Sequence, residues 1–294
     1  MGVDILPRKT CNLNCIYCEL GPTKQHSTDI KAYIPVEEIW ADVKKLLENP
    51  DKKFDYLTFT ASGEPTLHSG IGELINRAKA LTSTPITVLT NGTTLSLPEV
   101  RKRILSADIL LPSLDAARQT TFQKINRPAP GLIIDDIIEG LAELRKEFSG
   151  KIWLEVLIAK DINDSPEDID ALKDAITYIK PDKVQLNTVA RPPADTIAHA
   201  LSQARLNEIA KFLGPSAEVI VNFSKKIQQG SHPIIDAEIL DVLQRRPSTI
   251  EDLAQALGIK TSQVEKALQR LQERGVITPC PHNSIPFYCL TDEQ

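Results

Sequence analysis

The sequence predicts an α/β protein: a partial (β/α)6 barrel of the TIM type, followed by a small winged helix-turn-helix domain. Three observations carry this prediction. Short apolar, β-rich runs alternate with amphipathic segments of helical period through residues 1–223, and such alternation implies parallel strands joined by helical crossovers. Polar, turn-forming motifs fall directly after several of the runs, where parallel α/β architectures gather their ligand-binding loops on one rim. From Ile234 onward the pattern changes to three short amphipathic helices and two short apolar runs, the order of a winged helix.

The strands and helices are read in chain order. Val3–Pro7 is the first strand, and Val36–Leu47 the first helix, with Ile39, Val43 and Leu47 on one face. Tyr56–Thr60 is followed by the loop Ser62-Gly63-Glu64-Pro65 and the helix 72–81. Ile86–Thr90 is followed by Asn91-Gly92 and the helix 97–105, and Ile109–Ser113 by Leu114-Asp115 and the helix 133–148. Trp153–Ile158, the helix Pro166–Ile179 and the strand 183–186 complete six strands. Six suit an open or partial barrel better than a closed eight-stranded one, with a doubly wound open sheet as the alternative. A helix over 201–213 and an apolar run over 218–223 follow. Residues 224–233, with Gly230 and Pro233, form a predicted linker between domains 1–223 and 234–294. In the second domain Ile235, Ile239 and Leu243 mark one helix. Ser248-Thr249-Ile250-Glu251 opens the next, which carries Leu253 and Leu257 and ends at Gly258. Thr261 or Ser262 caps a third, carrying Val264, Leu268 and Leu271 up to Gly275, and 276–278 and 287–290 make the wing.

The chain has 294 residues, 41% of them hydrophobic and 25% charged, an ordinary soluble composition. No stretch approaches the roughly 20 apolar residues of a membrane span, and the first residues lack the apolar core of a signal peptide. A cytoplasmic protein without a membrane partner is expected. The net charge of −5 gives no support to nucleic-acid binding, and from His232 onward six Lys/Arg face nine Asp/Glu. Lys260, Lys266 and Arg270 are the residues of a local basic stripe, so nucleic-acid contact stays open beside protein contact through the winged helix.

Three of the five cysteines lie within eight residues, as Cys11-Asn-Leu-Asn-Cys15-Ile-Tyr-Cys18. An odd count with a tight cluster argues for metal ligation rather than a disulfide framework. Thiolates suit iron, and a [4Fe–4S] cluster normally takes four of them. No further cysteine occurs until Cys280, so a cluster held here leaves one iron open to a cofactor or substrate. Structural zinc is the alternative and needs a fourth ligand borrowed from the tail. Cys280 and Cys289 flank the wing and are expected as free thiols, with His282 as the residue that would join them in a metal site.

The Cys-x3-Cys-x2-Cys spacing, with Tyr17 before the last cysteine and a Gly-Glu-Pro loop after the second strand, resembles the signature of the radical S-adenosylmethionine (SAM) superfamily. The likeness extends over residues 1–223 through Gly63–His68, Leu89–Gly92, Pro112–Ala116, Ile125–Pro128 and Gln185–Val189. In that wider pattern the chain is similar to iron–sulfur oxidoreductases related to the wyosine-forming tRNA enzymes. The Ser-Leu-Asp and Ile-Asn-Arg segments also resemble the GTP cyclase of molybdopterin synthesis.

The resemblance implies that Cys11, Cys15 and Cys18 ligate a [4Fe–4S] cluster, that SAM binds the open iron, and that its reductive cleavage yields a 5′-deoxyadenosyl radical which abstracts hydrogen from a substrate. Tyr17 would pack near the adenine. Ser62, Gly63, Glu64 and Pro65 would bind the SAM amino group, with Ser62 standing where the family usually has glycine. Asn91 and Ser113 would reach the methionine carboxylate or the ribose, Asp115 would support them or form a turn, and Asn187 and Glu155 would face the site from the last two strands. Arg127 and Arg191 are the substrate-anion candidates, or else ion-pairing residues. His68 is read as structural. No catalytic side chain and no substrate follow from the sequence. Modification of tRNA or a nucleotide is the leading reading, a glycyl-radical enzyme activase or an iron–sulfur transcription regulator the alternatives, and a flavodoxin or ferredoxin the expected electron donor.

Overall fold

The computed structural model describes residues 1–23, 26–49, 54–220, 236–282 and 285–291. The strands β1 (Gly2–Asp4), β2 (Leu57–Thr60), β3 (Ile86–Thr90), β4 (Ile109–Pro112), β5 (Lys151–Ile158), β6 (Lys183–Thr188) and β7 (Ala217–Val219) form one parallel sheet in sequence order. β1 and β7 are its two edges, so the barrel is open. The crossovers carry α1 (Val36–Leu47), α2 (Ile71–Leu81), α3 (Pro98–Ile104), α4 (Gln119–Ile125), α5 (Ile134–Glu147), α6 (Pro166–Ile179) and α7 (Gln203–Leu213).

Burial explains the two kinds of strand sequence. β3, Ile-Thr-Val-Leu-Thr, is covered along nearly all its length and is apolar or β-branched throughout. β5 alternates instead: Ile152, Leu154, Val156 and Ile158 are buried, while Trp153, Glu155 and Leu157 point to the other, half-exposed face. The register sets Glu155 opposite Gln185 and Leu157 opposite Asn187 on β6. Helix starts follow their caps: the Ser165 hydroxyl accepts from the Asp168 N–H with Pro166 in the first turn of α6, and Ser202 does the same for α7.

The second module has its own core, built on Ile239, Leu243, Leu253, Val264, Leu268, Leu271 and Ile277. Its elements are α8 (Asp236–Arg245), α9 (Ile250–Leu257), α10 (Thr261–Glu273) and the antiparallel pair β8 (Ile277–Pro279) and β9 (Tyr288–Leu290). Thr249 and Asp252 form a capping box at the start of α9, and Gly258 ends the helix in the left-handed region at φ 66°. This is the predicted winged helix.

Several expectations are corrected. A seventh strand, β7, joins the sheet where the sequence offers only a weak apolar run. Neither α4 nor the 3-10 turn Pro65–Leu67 is evident in the sequence. α4 has seven residues, and its buried Thr121, Phe122 and Ile125 are too few to display a helical period. Lys260, not Thr261 or Ser262, occupies the N-cap position of α10. Cys280 and Cys289 are not free: they form a disulfide, with Cα atoms 6.0 Å apart. The β8–β9 register sets Thr278 opposite Cys289, which leaves Cys280 diagonal to it on the same side of the ribbon. The linker 224–233, and Ile234 and Ile235 after it, lie outside the described residues. Among the described residues no helix is long and apolar enough to cross a membrane.

Candidate cluster and cofactor site

The cysteine loop leaves β1 and is stitched to two neighbouring segments. On one side Lys9 N–H donates to Ser62 O and Glu64 N–H to Thr10 O at 2.9 Å. Gly63 packs so closely there that a Cβ would lie 1.8 Å from Thr10 O. On the other side Asn14 N–H donates to Asn126 O at 3.0 Å, and Ile16 N–H to Ile125 O at 3.0 Å, so the end of α4 holds the loop. The three thiols are half-buried and free.

Each thiol has an N–H donor. Leu13 N–H and, at longer range, Asn91 Nδ2 (3.7 Å) point at Cys11 Sγ, Asn126 Nδ2 lies 3.4 Å from Cys15 Sγ, and Lys9 Nζ lies 3.2 Å from Cys18 Sγ. Burial, reinforced by Asp115, raises the Cys15 thiol well above its ordinary range; burial likewise pushes Cys11 up to about 11. Loading a metal therefore means displacing protons. Among the described residues no three His, Cys, Asp or Glu side chains converge to hold a single ion. A cubane makes a different demand, because each thiolate binds its own iron. Three thiols with N–H donors to the sulfurs fit such a cluster. The Cys280–Cys289 disulfide occupies the two distant cysteines with each other, so neither is available as a fourth ligand.

Glu64 is 1% exposed. Its Oε1 accepts from Thr66 N–H (3.0 Å), the Thr66 hydroxyl and the Thr90 hydroxyl (2.6 Å), and its Oε2 accepts from Asn91 N–H. The carboxylate is thus turned into the protein, and burial raises its pKa against those hydrogen bonds. Direct binding of a cofactor amine by this side chain is not what the geometry offers; it fixes the loop backbone instead. Ser62 is likewise committed, with its N–H and hydroxyl both on the Asp4 carboxylate. Pro65 starts the buried 3-10 turn.

Asn91 is also spoken for. Its Nδ2 donates to Asn12 Oδ1 at 2.8 Å, and its Oδ1 accepts from Thr93 N–H and hydroxyl, so it braces the cysteine loop. Asp115 is 4% exposed and accepts from the Tyr17 hydroxyl, Asn126 Nδ2 (2.7 Å) and Leu157 N–H (2.9 Å). The Tyr17 hydroxyl is therefore tied into this network, and Asp115 is its anchor. Tyr17, Asn91, Ser113, Asp115 and Asn126 line a cavity of about 40 Å³ together with apolar residues such as Phe122, Ile134 and Ile137. That volume suits a water, not a nucleoside. Glu155 and Asn187 lie side by side, 3.5 Å apart, and burial followed by Asp115 raises the Glu155 carboxyl.

Asn12, Asn126, Lys9 and Thr66 were missed in the sequence. The Ile-Asn-Arg-Pro segment was a signal for Asn126; the others carry none without the fold. His68 is structural as expected: Nδ1 accepts from Gly70 N–H, so Nε2 donates to Ile34 O at 2.8 Å. Arg127 pairs with Asp195 at 2.6 Å. Arg191 is no surface residue. It bridges Glu19 (3.3 Å) next to Cys18 and Asp252 (2.8 Å) in the capping box of α9, and it also donates to Pro247 O.

The family profile described as Radical SAM superfamily matches residues 5–178, and that described as MarR family matches residues 233–284. A UPF0026 protein of Helicobacter pylori is 32% identical, over 98% of this chain and 92% of its own length. A GTPase Obg of Brachyspira hyodysenteriae is 36% identical over 99% of this chain, which spans only 43% of that protein. Among solved structures, SuiB of Streptococcus suis bound to precursor peptide SuiA superposes with a TM-score of 0.58 at 15% identity, over 76% of this chain and 49% of that one.

Proposed function

The chain belongs to the radical SAM superfamily and to its UPF0026 group, and on that premise we propose that it is an iron–sulfur enzyme whose Cys11, Cys15 and Cys18 hold a [4Fe–4S] cluster with SAM at the fourth iron. When bound, the two groups supply one electron and the radical cleavage of SAM, which removes a hydrogen atom from substrate. The observation that carries the reading is the trio of half-buried free thiols, each with its own N–H donor, beside a loop pinned by Glu64.

The chain's residues would act by position. Asn126 would hold Cys15 and Asp115 in register, and Asp115 would aim the Tyr17 ring at the rim. Glu64 would fix the loop 62–65 against the cysteine loop, and Ser113, Glu155 and Asn187 would offer polar groups to a ribose and base. Modification of tRNA or a nucleotide is our preferred substrate class, on the strength of the likeness to the wyosine-forming tRNA enzymes, with the Ser-Leu-Asp and Ile-Asn-Arg segments adding the likeness to the GTP cyclase. An external flavodoxin or ferredoxin would deliver the electron.

The test is anaerobic reconstitution with iron and sulfide, addition of SAM and dithionite, and assay of 5′-deoxyadenosine. Formation that is lost in Cys15→Ala supports the reading, and a loaded cluster that yields none contradicts it. Deuterium transfer from labelled RNA or nucleotide into 5′-deoxyadenosine then tests the substrate class.

The MarR-family match favours a second reading, a cluster-bearing regulator that binds promoter DNA. Asp236 pairs with both Arg270 (2.7 Å) and Arg274 (3.1 Å), which sets a carboxylate in competition with phosphate for two of the module's exposed cations and weighs against it. A salt-dependent shift of promoter DNA would revive it.

A further inference from the structure

The acidic surroundings of the three thiols raise a question that the cluster motif does not answer. Asp115 shares the Asn126 amide with Cys15 Sγ, and Glu64 is bonded through its N–H to Thr10 O, in the residue before Cys11. Reduction of a cluster held here would add another negative charge to the same region. An opposing charge is Lys9, whose ammonium lies 3.2 Å from Cys18 Sγ.

Lys9 is not a loose surface lysine. Its backbone sits in the left-handed region at φ 61°, unusual for a residue with a side chain. Its N–H is fixed on Ser62 O, and Ser62 is fixed in turn by the Asp4 carboxylate at 3.0 and 3.1 Å from its N–H. The neighbouring Thr10 O receives Glu64 N–H. Three successive anchors thus set the direction from which the Lys9 side chain leaves the loop, and that direction ends on Cys18. Strain retained at a defined position beside a reactive group is the kind that a functional demand explains.

We propose that Lys9 tunes the cluster: its ammonium donates to Cys18 Sγ and raises the reduction potential by stabilising the more negative, reduced state. The physical basis is that hydrogen bonds to cluster sulfurs and the local net charge both set such potentials. The inference rests on the reading above that the three cysteines hold a cluster, and it goes further by assigning the cation that makes one-electron reduction accessible.

The experiment is an EPR-monitored redox titration of the reconstituted full chain without SAM, for wild type, Lys9→Met, Lys9→Gln and Lys9→Arg. All three variants keep a side chain at the same left-handed position, so backbone strain is common to them. The expected result is a midpoint displaced to more negative potential in Lys9→Met and Lys9→Gln, and close to wild type in Lys9→Arg, at equal iron content. Equal midpoints in all four proteins would overturn the inference. So would an unchanged midpoint with weakened SAM binding, which would assign Lys9 to the cofactor's carboxylate. Failure of the wild type to assemble any cluster would instead overturn the reading on which it rests.

Discussion

Glu64 receives hydrogen bonds on both carboxylate oxygens from Thr66, Thr90 and Asn91. Glu64→Gln would set an amide NH2 against at least one of those donors. The expected cost is about 1–3 kcal/mol, read as a lower midpoint in chemical denaturation, whereas a purely ligand-binding side chain would leave stability unchanged. Glu155 behaves differently. Burial and Asp115 raise its pKa in the folded state, so its contribution to stability is complete below the ordinary carboxylate range and is lost as pH rises through the raised value. Glu155→Gln mimics the protonated form, so the variant should gain stability over wild type at pH 7.5 and match it near pH 4, in paired denaturation curves. An equal offset at both pH values would mean that the charge is not what matters there. The motif residues were legible because cysteines and Gly-Glu-Pro have few other uses at such spacing. Their roles were not, because whether a carboxylate faces a ligand or a threonine is decided by loop packing over 26 residues of separation, as between Glu64 and Thr90.

The helices and strands of the barrel were readable where periodicity had length to show itself. α1, α6 and β3 have the bounds that the sequence predicts, because twelve or fourteen residues fix a helical face and β3 is apolar or β-branched throughout. α4 was lost to its seven-residue length, although it holds the cysteine loop through the carbonyls of Ile125 and Asn126. The Cys280–Cys289 pairing was invisible because it depends on the β8–β9 register. α6 ends on Lys180 in the left-handed region at φ 56°. Lys180→Gly should therefore stabilise the barrel by about 0.5–1 kcal/mol, since glycine meets no Cβ penalty there; a thermal midpoint that falls would contradict this account of the helix end. Gly63→Ala should act in the opposite direction, because its methyl meets Thr10 O and parts the cysteine loop from the β2 loop. Reduced iron content after reconstitution would reveal it.

The two modules have separate hydrophobic cores, and Arg191 is a charged link between them. Arg191 and Asp252 are each 14% exposed, so breaking the pair removes a charge-assisted bond between the modules at a cost of about 1–3 kcal/mol, while Asp252 keeps the Thr249 N–H. Arg191→Ala should accelerate proteolytic separation of the modules, and an unchanged digestion rate would show that other contacts, such as His282 with Val189 O, suffice. Because Glu19 is the residue after Cys18, the same contact joins the winged helix to the cluster end of the barrel. The most direct measurement is the EPR spectrum of the reduced, reconstituted protein with and without SAM. The account predicts a [4Fe–4S] signal that changes shape when SAM is added, as the open iron gains a ligand. A well-formed signal that SAM leaves unaltered would contradict it.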